Sequence, residues 1–338
     1  MIEQNQRYVE LDAMKFWGIL LVVLGHVTNM FTMSGLYSWI HPSEELSLVS
    51  SLIYSFHMPL FVFVSGCVYA YQCEVLNKKL TFVQLISKKA VRLLIPYVFW
   101  GFFIMVPLMC YCELRPNVWE YASQGIFLSK DCRHLWFVLM LFLVFVLFWC
   151  INKLSEILKF PKWCVLPASF FMYFFANIVP YVFQLSNAFR YLFWFSLGYS
   201  FLIYKGAVHK FVVNYISGGV ILFMYVALNT QLSIKIPFLA TIVAMAGIML
   251  FYHISCDWKN LVKYSFFQVI NRNSFGIYLY HVIFIYLLFY WMKGVSLSPY
   301  LMCIIVFVAS LFLSIFMTEL TRMARLQILI GEKRYRGK

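Results

Sequence analysis

Charged side chains are scarce in this sequence. Only 12% of its 338 residues are Asp, Glu, Lys or Arg, and 63% are apolar. Soluble domains carry about 25% charged residues because their surfaces face water. A chain of this length with so few charges cannot cover a water-facing surface, so an ordinary soluble enzyme is excluded. Gly/Ser-rich linkers and clear internal repeats are also missing, and we therefore predict a single membrane domain over residues 1–338.

The cysteines lack a metal-binding pattern. Among the nine, Cys110 and Cys112 form only a C-x-C pair, whereas zinc sites need paired motifs with defined spacing. Most of the others lie in or beside apolar segments, which is typical of polarizable packing residues. We therefore expect no metal ion and no permanently bound cofactor.

Long apolar segments are what the sequence has in abundance. Each is long enough to cross ~30 Å of hydrocarbon at ~1.5 Å per helical residue. Lipid offers the backbone no hydrogen bonds, so spanning segments are helices or closed barrels, and runs apolar on every face exclude a barrel. The predicted fold is all-α and polytopic, with about ten transmembrane helices at 12–31, 48–71, 90–112, 134–152, 163–180, 187–204, 211–229, 236–252, 273–292 and 299–320.

The basic residues show how these helices are oriented. Lys and Arg number 27 against 13 Asp and Glu, and the net charge of +14 alone could suggest a nucleic-acid partner. However, most of the basic residues fall in alternate connections and in the C-terminal tail. That distribution is the positive-inside pattern, and it predicts that both termini are cytoplasmic. We therefore expect membrane lipids as partners, and no nucleic acid.

Ionisable residues inside the spans are the candidates for function, because each costs a few kcal/mol at membrane depth. In the first span, Lys15 and His26 are eleven residues apart, about 17 Å along a helix and within about 20° of one face. Asp12, three residues before Lys15, is placed to pair with it. His57 and His281 are predicted near the bilayer midplane. Together these residues suggest a tunnel with a cationic cytoplasmic mouth.

Prolines and basic residues mark the next spans. Pro59 predicts a kink in the second span, beside a cavity. The third span opens with a basic mouth, and a kink is expected at Pro96. The basic residues there are Lys88, Lys89 and Arg92, which could equally be ordinary positive-inside anchors.

Three candidate residues lie near the predicted outer surface, and two of them also have a purely structural explanation. His134 and Trp136 open the fourth span, and Trp136 could simply be an interfacial belt residue. Arg190 could snorkel to the interface. The external loop Glu113–Arg133 is long and aromatic, which fits either an interfacial lid or a loose connector.

These segments resemble the acyltransferase type 3 family of bacterial membrane O-acyltransferases. The resemblance covers nearly the whole chain, in family order, and rests on Leu11–His26, Phe56–Gly66, Arg92–Tyr97, His134–Leu139, Phe189–Tyr199 and Ser274–His281. The family usually has Arg where this sequence has Lys15, a variant associated with smaller glycan-acetylating members. Lys keeps the charge but not the bidentate fork of Arg, so the donor contact is expected to differ in detail.

The resemblance implies transfer of an acyl group, usually acetyl from acetyl-CoA, to a hydroxyl of a cell-envelope glycan or lipid-linked sugar at the bacterial cytoplasmic membrane. Acyl-CoA would then be a co-substrate, held at the cationic mouth by Lys15, Arg92, Lys88 and Lys89. His26 is the expected general base. His57 and His281 are expected to orient it, bind the sugar or stabilise the oxyanion, and a transient acyl-histidine stays open. The supporting residues are Asp12, His134, Trp136, Ser274, Tyr278 and Arg190.

Two other classes of function remain in competition at this stage. One is a transporter or flippase for a lipid-linked sugar or polysaccharide, with the histidines lining its path. Against it, the sequence shows no inverted repeat of the kind many carriers have. The other is a non-catalytic sensor. Hydrolysis of acetyl-CoA by the purified protein would separate the enzyme from both.

The topology can be tested with reporter fusions. Fusions after residues 40 and 125 should report the outside, and fusions after residues 80 and 335 should report the cytoplasm, because the basic connections are retained inside. Alkaline phosphatase and a cytoplasmic fluorescent reporter at the same four positions provide opposite signals. A C-terminus that reports outside would require an odd number of spans.

Overall fold

The computed structural model describes residues 8–205 and 237–333, and every regular element in these two ranges is helical. The thirteen α-helices of these ranges are α1 Val9–Asn29, α2 Glu44–Tyr54, α3 His57–Ala70, α4 Phe82–Lys89, α5 Ile95–Phe99, α6 Val106–Tyr111, α7 Val118–Glu120, α8 Trp136–Ile157, α9 Val165–Phe175, α10 Leu185–Ile203, α11 Pro237–Asp257, α12 Ser265–Trp291 and α13 Pro299–Met323. Four π-helical turns, Tyr71–Val75, Ala90–Leu94, Trp100–Met105 and Tyr121–Phe127, extend or join them.

Seven helical segments of the described ranges are long and apolar enough to cross a membrane. They are Val9–Asn29, Glu44–Val75, Phe82–Tyr111, Arg133–Ile157, Leu239–Asp257, Ser265–Trp291 and Pro299–Met323. These correspond to predicted spans one to four and eight to ten, so the multi-pass helical fold is confirmed.

The fifth, sixth and seventh predicted spans have no counterpart among these seven segments. The fifth corresponds to an apolar but shorter helix, Lys162–Phe175. The sixth corresponds to α10, which is interrupted by polar residues such as Asn187 and Arg190 and is not among the seven. The seventh, 211–229, lies outside the described residues. The count of ten and the cytoplasmic termini therefore stay predictions.

The second span is broken before the proline and not at it. Helix α2 ends at Tyr54 and α3 begins at His57, so Pro59 lies in the first turn of α3. A proline lacks the N–H that would bond the carbonyl four residues earlier, and its ring clashes with that carbonyl. The break at Ser55–Phe56 lies three and four residues before Pro59. The kink predicted from Pro59 is therefore present, as a break of the helix just before it.

The helical backbone of the third span is irregular next to its prolines. The π-turn Ala90–Leu94 comes directly before α5, in which Pro96 is the second residue. A second π-turn, Trp100–Met105, precedes Pro107 in the same way. Proline cannot donate to the carbonyl four residues earlier, and a π-turn changes the register of the hydrogen-bond ladder locally. The irregularity expected at Pro96 is thus present as a π-turn.

The contacts divide the chain into two compact units. The first unit is Met1–Val64 with Tyr204–Phe316, and the second is Ser65–Ile203 with Met317–Lys338. Within the first unit α1 packs against α2, α11 and α12, and within the second α10 packs against α8 and α9. The single domain predicted over 1–338 stays a prediction.

The long loop Glu113–Arg133 of the second unit is a packed segment. Ile126 is fully buried, and a side chain at Gly101 would collide with it at 2.5 Å, so this glycine allows the close approach. The hydroxyl of Tyr97 donates to the carbonyl of Ile126 at 2.6 Å. Trp119 and Phe127 remain exposed. A loose connector is therefore excluded for this part of the loop.

Candidate active site

Two helices of the first unit carry the centre of the candidate site. His26, near the end of α1, and His281, in the second half of α12, have ring centroids 5.0 Å apart. Ten residues before His26, Phe16 stacks on Phe267 at 4.7 Å. On each helix the phenylalanine comes before the histidine in the sequence. Helices α1 and α12 therefore run in the same direction and stay packed over several turns.

The third histidine reaches the same cluster through Tyr54. The Tyr54 ring lies 4.9 Å from the His57 ring and 6.0 Å from the His26 ring. Its hydroxyl is 3.3 Å from Nδ1 of His26, and either atom can be the donor. The structure thus brings together the three histidines that the sequence predicted as catalytic. His26 contacts His281 directly, and Tyr54, which the sequence did not predict, lies between His26 and His57.

A glycine lets Tyr54 approach α1. A side chain at Gly25 would meet Ile53 at 2.9 Å and the Tyr54 ring at 3.3 Å. The end of α2 can therefore lie directly against α1, one residue before His26. The helix break after Tyr54 then turns the chain so that His57 follows within ring contact.

Hydrogen bonds determine which nitrogen of two histidines carries the proton. Nδ1 of His57 lies 2.8 Å from the carbonyl oxygen of Ile53, and Nδ1 of His281 lies 3.0 Å from that of Ile277. A carbonyl oxygen only accepts, so each Nδ1 must donate its N–H. In the neutral imidazole the other nitrogen, Nε2, is then the acceptor and the basic atom.

The three histidines differ in how accessible they are. His57 and His281 are 2% and 0% exposed, whereas His26 is only half-buried. A substrate entering the first unit can therefore reach the His26 ring more readily than the other two. Accessibility distinguishes His26 as the group placed to act on a substrate, with the buried histidines behind it.

The predicted supporting residues of the first unit lie along the same helices. Tyr278 is buried, with its ring 5.9 Å from that of His281, and Ser274 is half-buried one turn earlier on α12. Residues 274, 278 and 281 share one face of a helix. Asp12 lies in the first turn of α1, and its pairing with Lys15 stays a prediction.

The other predicted donor-site residues belong to the second unit. Lys88 and Arg92 are exposed, and the Lys89 ammonium lies 3.4 Å from the centre of the Phe145 ring, a cation–π contact. Lys15 belongs to the first unit. A mouth shared by Lys15 and the basic residues of the third span therefore stays a prediction.

Three further predicted residues also lie in the second unit. His134 is buried in the 3₁₀ turn Arg133–Leu135 that leads into α8. The Trp136 ring lies 5.4 Å from the Tyr191 ring of α10. Arg190 donates to the side chain of Asn177, so it has a defined protein partner in addition to any interfacial role.

The chain matches a known protein family over most of its length. Residues 8–319 match the sequence profile of the acyltransferase type 3 family, described as an acyltransferase domain. The chain is 29% identical over 157 residues to nodulation protein NolL of Sinorhizobium fredii, which is 45% of the chain and 39% of that relative. It is 28% identical over 174 residues to nodulation protein NolL of Mesorhizobium japonicum, 48% of the chain and 39% of that relative. The matches thus span about two fifths of these curated relatives. No solved structure matches the chain at a significant level.

The tautomers of the buried histidines can be measured directly. In protein labelled with ¹⁵N-histidine, His57 and His281 should both appear as neutral imidazoles protonated at Nδ1, because each Nδ1 faces a carbonyl oxygen. Long-range ¹H–¹⁵N correlation spectra distinguish the two tautomers, and single His→Asn variants assign the signals. A proton on Nε2 of either residue would contradict the hydrogen bonding described above.

Proposed function

Because the chain belongs to the acyltransferase type 3 family, we propose that its histidine cluster transfers an acyl group from acyl-CoA, most simply acetyl-CoA, to a hydroxyl of a sugar. Membership confirms the expectation of an acyltransferase domain. The observation that carries the finer proposal is the cluster of three histidines, in which His26 contacts His281 directly and is linked to His57 through Tyr54, and in which His26 is the accessible member. Imidazoles titrate close to working pH, which suits them to proton transfer.

In the proposed step, His26 accepts the proton of the acceptor hydroxyl as its oxygen attacks the thioester carbonyl. A carbon–oxygen bond forms and the carbon–sulfur bond breaks. The proton then passes from the imidazolium to the leaving thiolate, so an ester and free CoA are the products. Within this mechanism the Nδ1–H of His26 donates to the Tyr54 hydroxyl, which leaves Nε2 as the base.

The donor would lie along α1. Lys15 and His26 are separated by eleven residues, about 17 Å of helix. The coenzyme carries its phosphates at one end and its thioester at the other, on a long flexible arm. A phosphate group held near Lys15 therefore lets the thioester reach the histidine cluster. Arg92, Lys88 and Lys89 are proposed as additional cations for the same donor.

The acceptor and the compartment are the less direct parts of the proposal. We propose a cell-envelope glycan or a lipid-linked sugar as the acceptor and the bacterial cytoplasmic membrane as the location. Seven apolar helices in the described ranges support a multi-pass membrane protein, and the family resemblance supports the glycan. The nodulation proteins named above are relatives over part of their length only, and they add no assignment of the acceptor.

His26 should be essential for transfer through its imidazole. Positioned acid–base groups contribute about 10²–10⁴-fold, so His26→Ala should lose at least about a hundredfold in kcat for glycan acetylation. Tyr54→Phe keeps the ring and removes one hydrogen bond, and about a two- to tenfold loss is expected. The assay is transfer of labelled acetyl from acetyl-CoA to envelope glycan by purified, reconstituted protein.

A matched control is available in the same unit. His253 lies on α11, next to Asp257 and outside the cluster, so His253→Ala should keep near-normal activity. Donor binding by His26→Ala should also be retained, which separates lost chemistry from lost folding. Near-normal acetylation by His26→Ala at normal expression would contradict the mechanism, because transfer would then not depend on this imidazole.

A further inference from the structure

A polar cavity of the first unit lies at the opposite end of the α1–α12 contact from the histidines. Its volume is about 400 Å³, and it is lined by Lys15, Val262, Phe267, Gln268, Asn271 and Arg272. Val262 and Phe267 form its apolar side, and Phe267 is held by stacking on Phe16. Of these lining residues only Lys15 was predicted from the sequence as a site residue.

Three of the lining residues form one polar face of α12. Gln268, Asn271 and Arg272 are spaced i, i+3 and i+4, so their side chains lie on the same side of the helix. They lie near the beginning of the helix, which starts at Ser265. None of the six lining residues is acidic. With Lys15 and Arg272 in its wall, the cavity has the charge expected for an anionic group.

Asn271 supplies a second and independent indication of a ligand. The residue is only 5% exposed, and its Oδ1 atom is buried with no hydrogen-bond partner among residues 8–205 and 237–333. Buried polar atoms in native proteins nearly always have a partner, because leaving one unsatisfied is costly. A ligand in the cavity that offers an N–H or O–H group would satisfy this oxygen.

We propose that this cavity binds the nucleotide end of the acyl-CoA, with Lys15 and Arg272 holding phosphate and Asn271 accepting a hydrogen bond from an amino or hydroxyl group of the nucleotide. This inference rests on the function proposed above. It fits the direction of the helices, since Arg272 precedes His281 by nine residues and Lys15 precedes His26 by eleven. A nucleotide bound at this end points its thioester arm toward the cluster.

Binding of nucleotide fragments tests the assignment. Full-length purified protein should bind acetyl-CoA, and adenosine 3′,5′-bisphosphate, which has the nucleotide but no pantetheine arm, should compete with it. Arg272→Gln and Asn271→Leu should each weaken both ligands about tenfold or more. In turnover, these variants should raise KM for acetyl-CoA while kcat at saturating donor stays within about twofold, because neither residue contacts the reacting atoms.

Matched controls keep the result interpretable. Lys263→Gln removes an exposed charge of the same unit that does not line the cavity, and it should leave donor affinity unchanged. Arg272 is itself exposed, so Arg272→Gln should fold normally even if Asn271→Leu does not. Lys15→Ala serves as the reference for loss of a phosphate contact, and Lys15→Arg should restore most of the affinity.

The outcomes separate this inference from the function it rests on. Normal acetyl-CoA affinity in both Arg272→Gln and Asn271→Leu would overturn the assignment and leave the proposed function intact. Failure of the unmodified protein to bind acetyl-CoA at all would instead contradict the function. If adenosine 3′,5′-bisphosphate does not compete, and Arg272→Gln loses binding to vesicles containing phosphatidylglycerol, then the cavity holds a lipid phosphate and the assignment is wrong.

Discussion

The parallel packing of α1 on α12 is the contact on which the site depends. It brings Phe16 onto Phe267 and, ten residues further along α1, His26 onto His281. Because both helices rise about 1.5 Å per residue in the same direction, a polar cavity at one end and a histidine cluster at the other are fixed at a constant separation. In the proposed function, this one helix pair supplies both the position that anchors acyl-CoA and the position at which its acyl group reacts.

The buried histidines are compatible with a membrane interior because of their local hydrogen bonds. His57 and His281 each donate Nδ1–H to the carbonyl four residues earlier. The contact satisfies one ring nitrogen within the same segment of chain, as an apolar environment requires. It also fixes the ring orientation and presents Nε2. The half-buried His26 is then the member that a substrate can reach.

The sequence predicted the parts of the site that depend on one helix at a time. Lys15 and His26 are separated by eleven residues, so helical periodicity alone placed them on one face. Tyr54 was missed, because its contact with His26 depends on the close approach of α2 to α1 at Gly25. Sequence periodicity does not report which helices pack together.

The polar face of α12 shows what a closer reading of the sequence could have found. Gln268, Asn271 and Arg272 are spaced on one helical face just before an apolar run, and that spacing was available as a signal. What the sequence could not supply is the partner helix, and therefore the cavity with Lys15. The sequence also predicted that the basic residues of the third span share the donor site with Lys15, and this stays a prediction.

The central claim is that the donor's thioester lies beside His26. Chloroacetyl-CoA tests it most directly, since an imidazole nitrogen next to the acyl group would displace chloride and become alkylated. Peptide mapping by mass spectrometry should find the label on His26, and excess acetyl-CoA should prevent it. A label that acetyl-CoA blocks but that lies on a residue outside the histidine cluster would contradict the account.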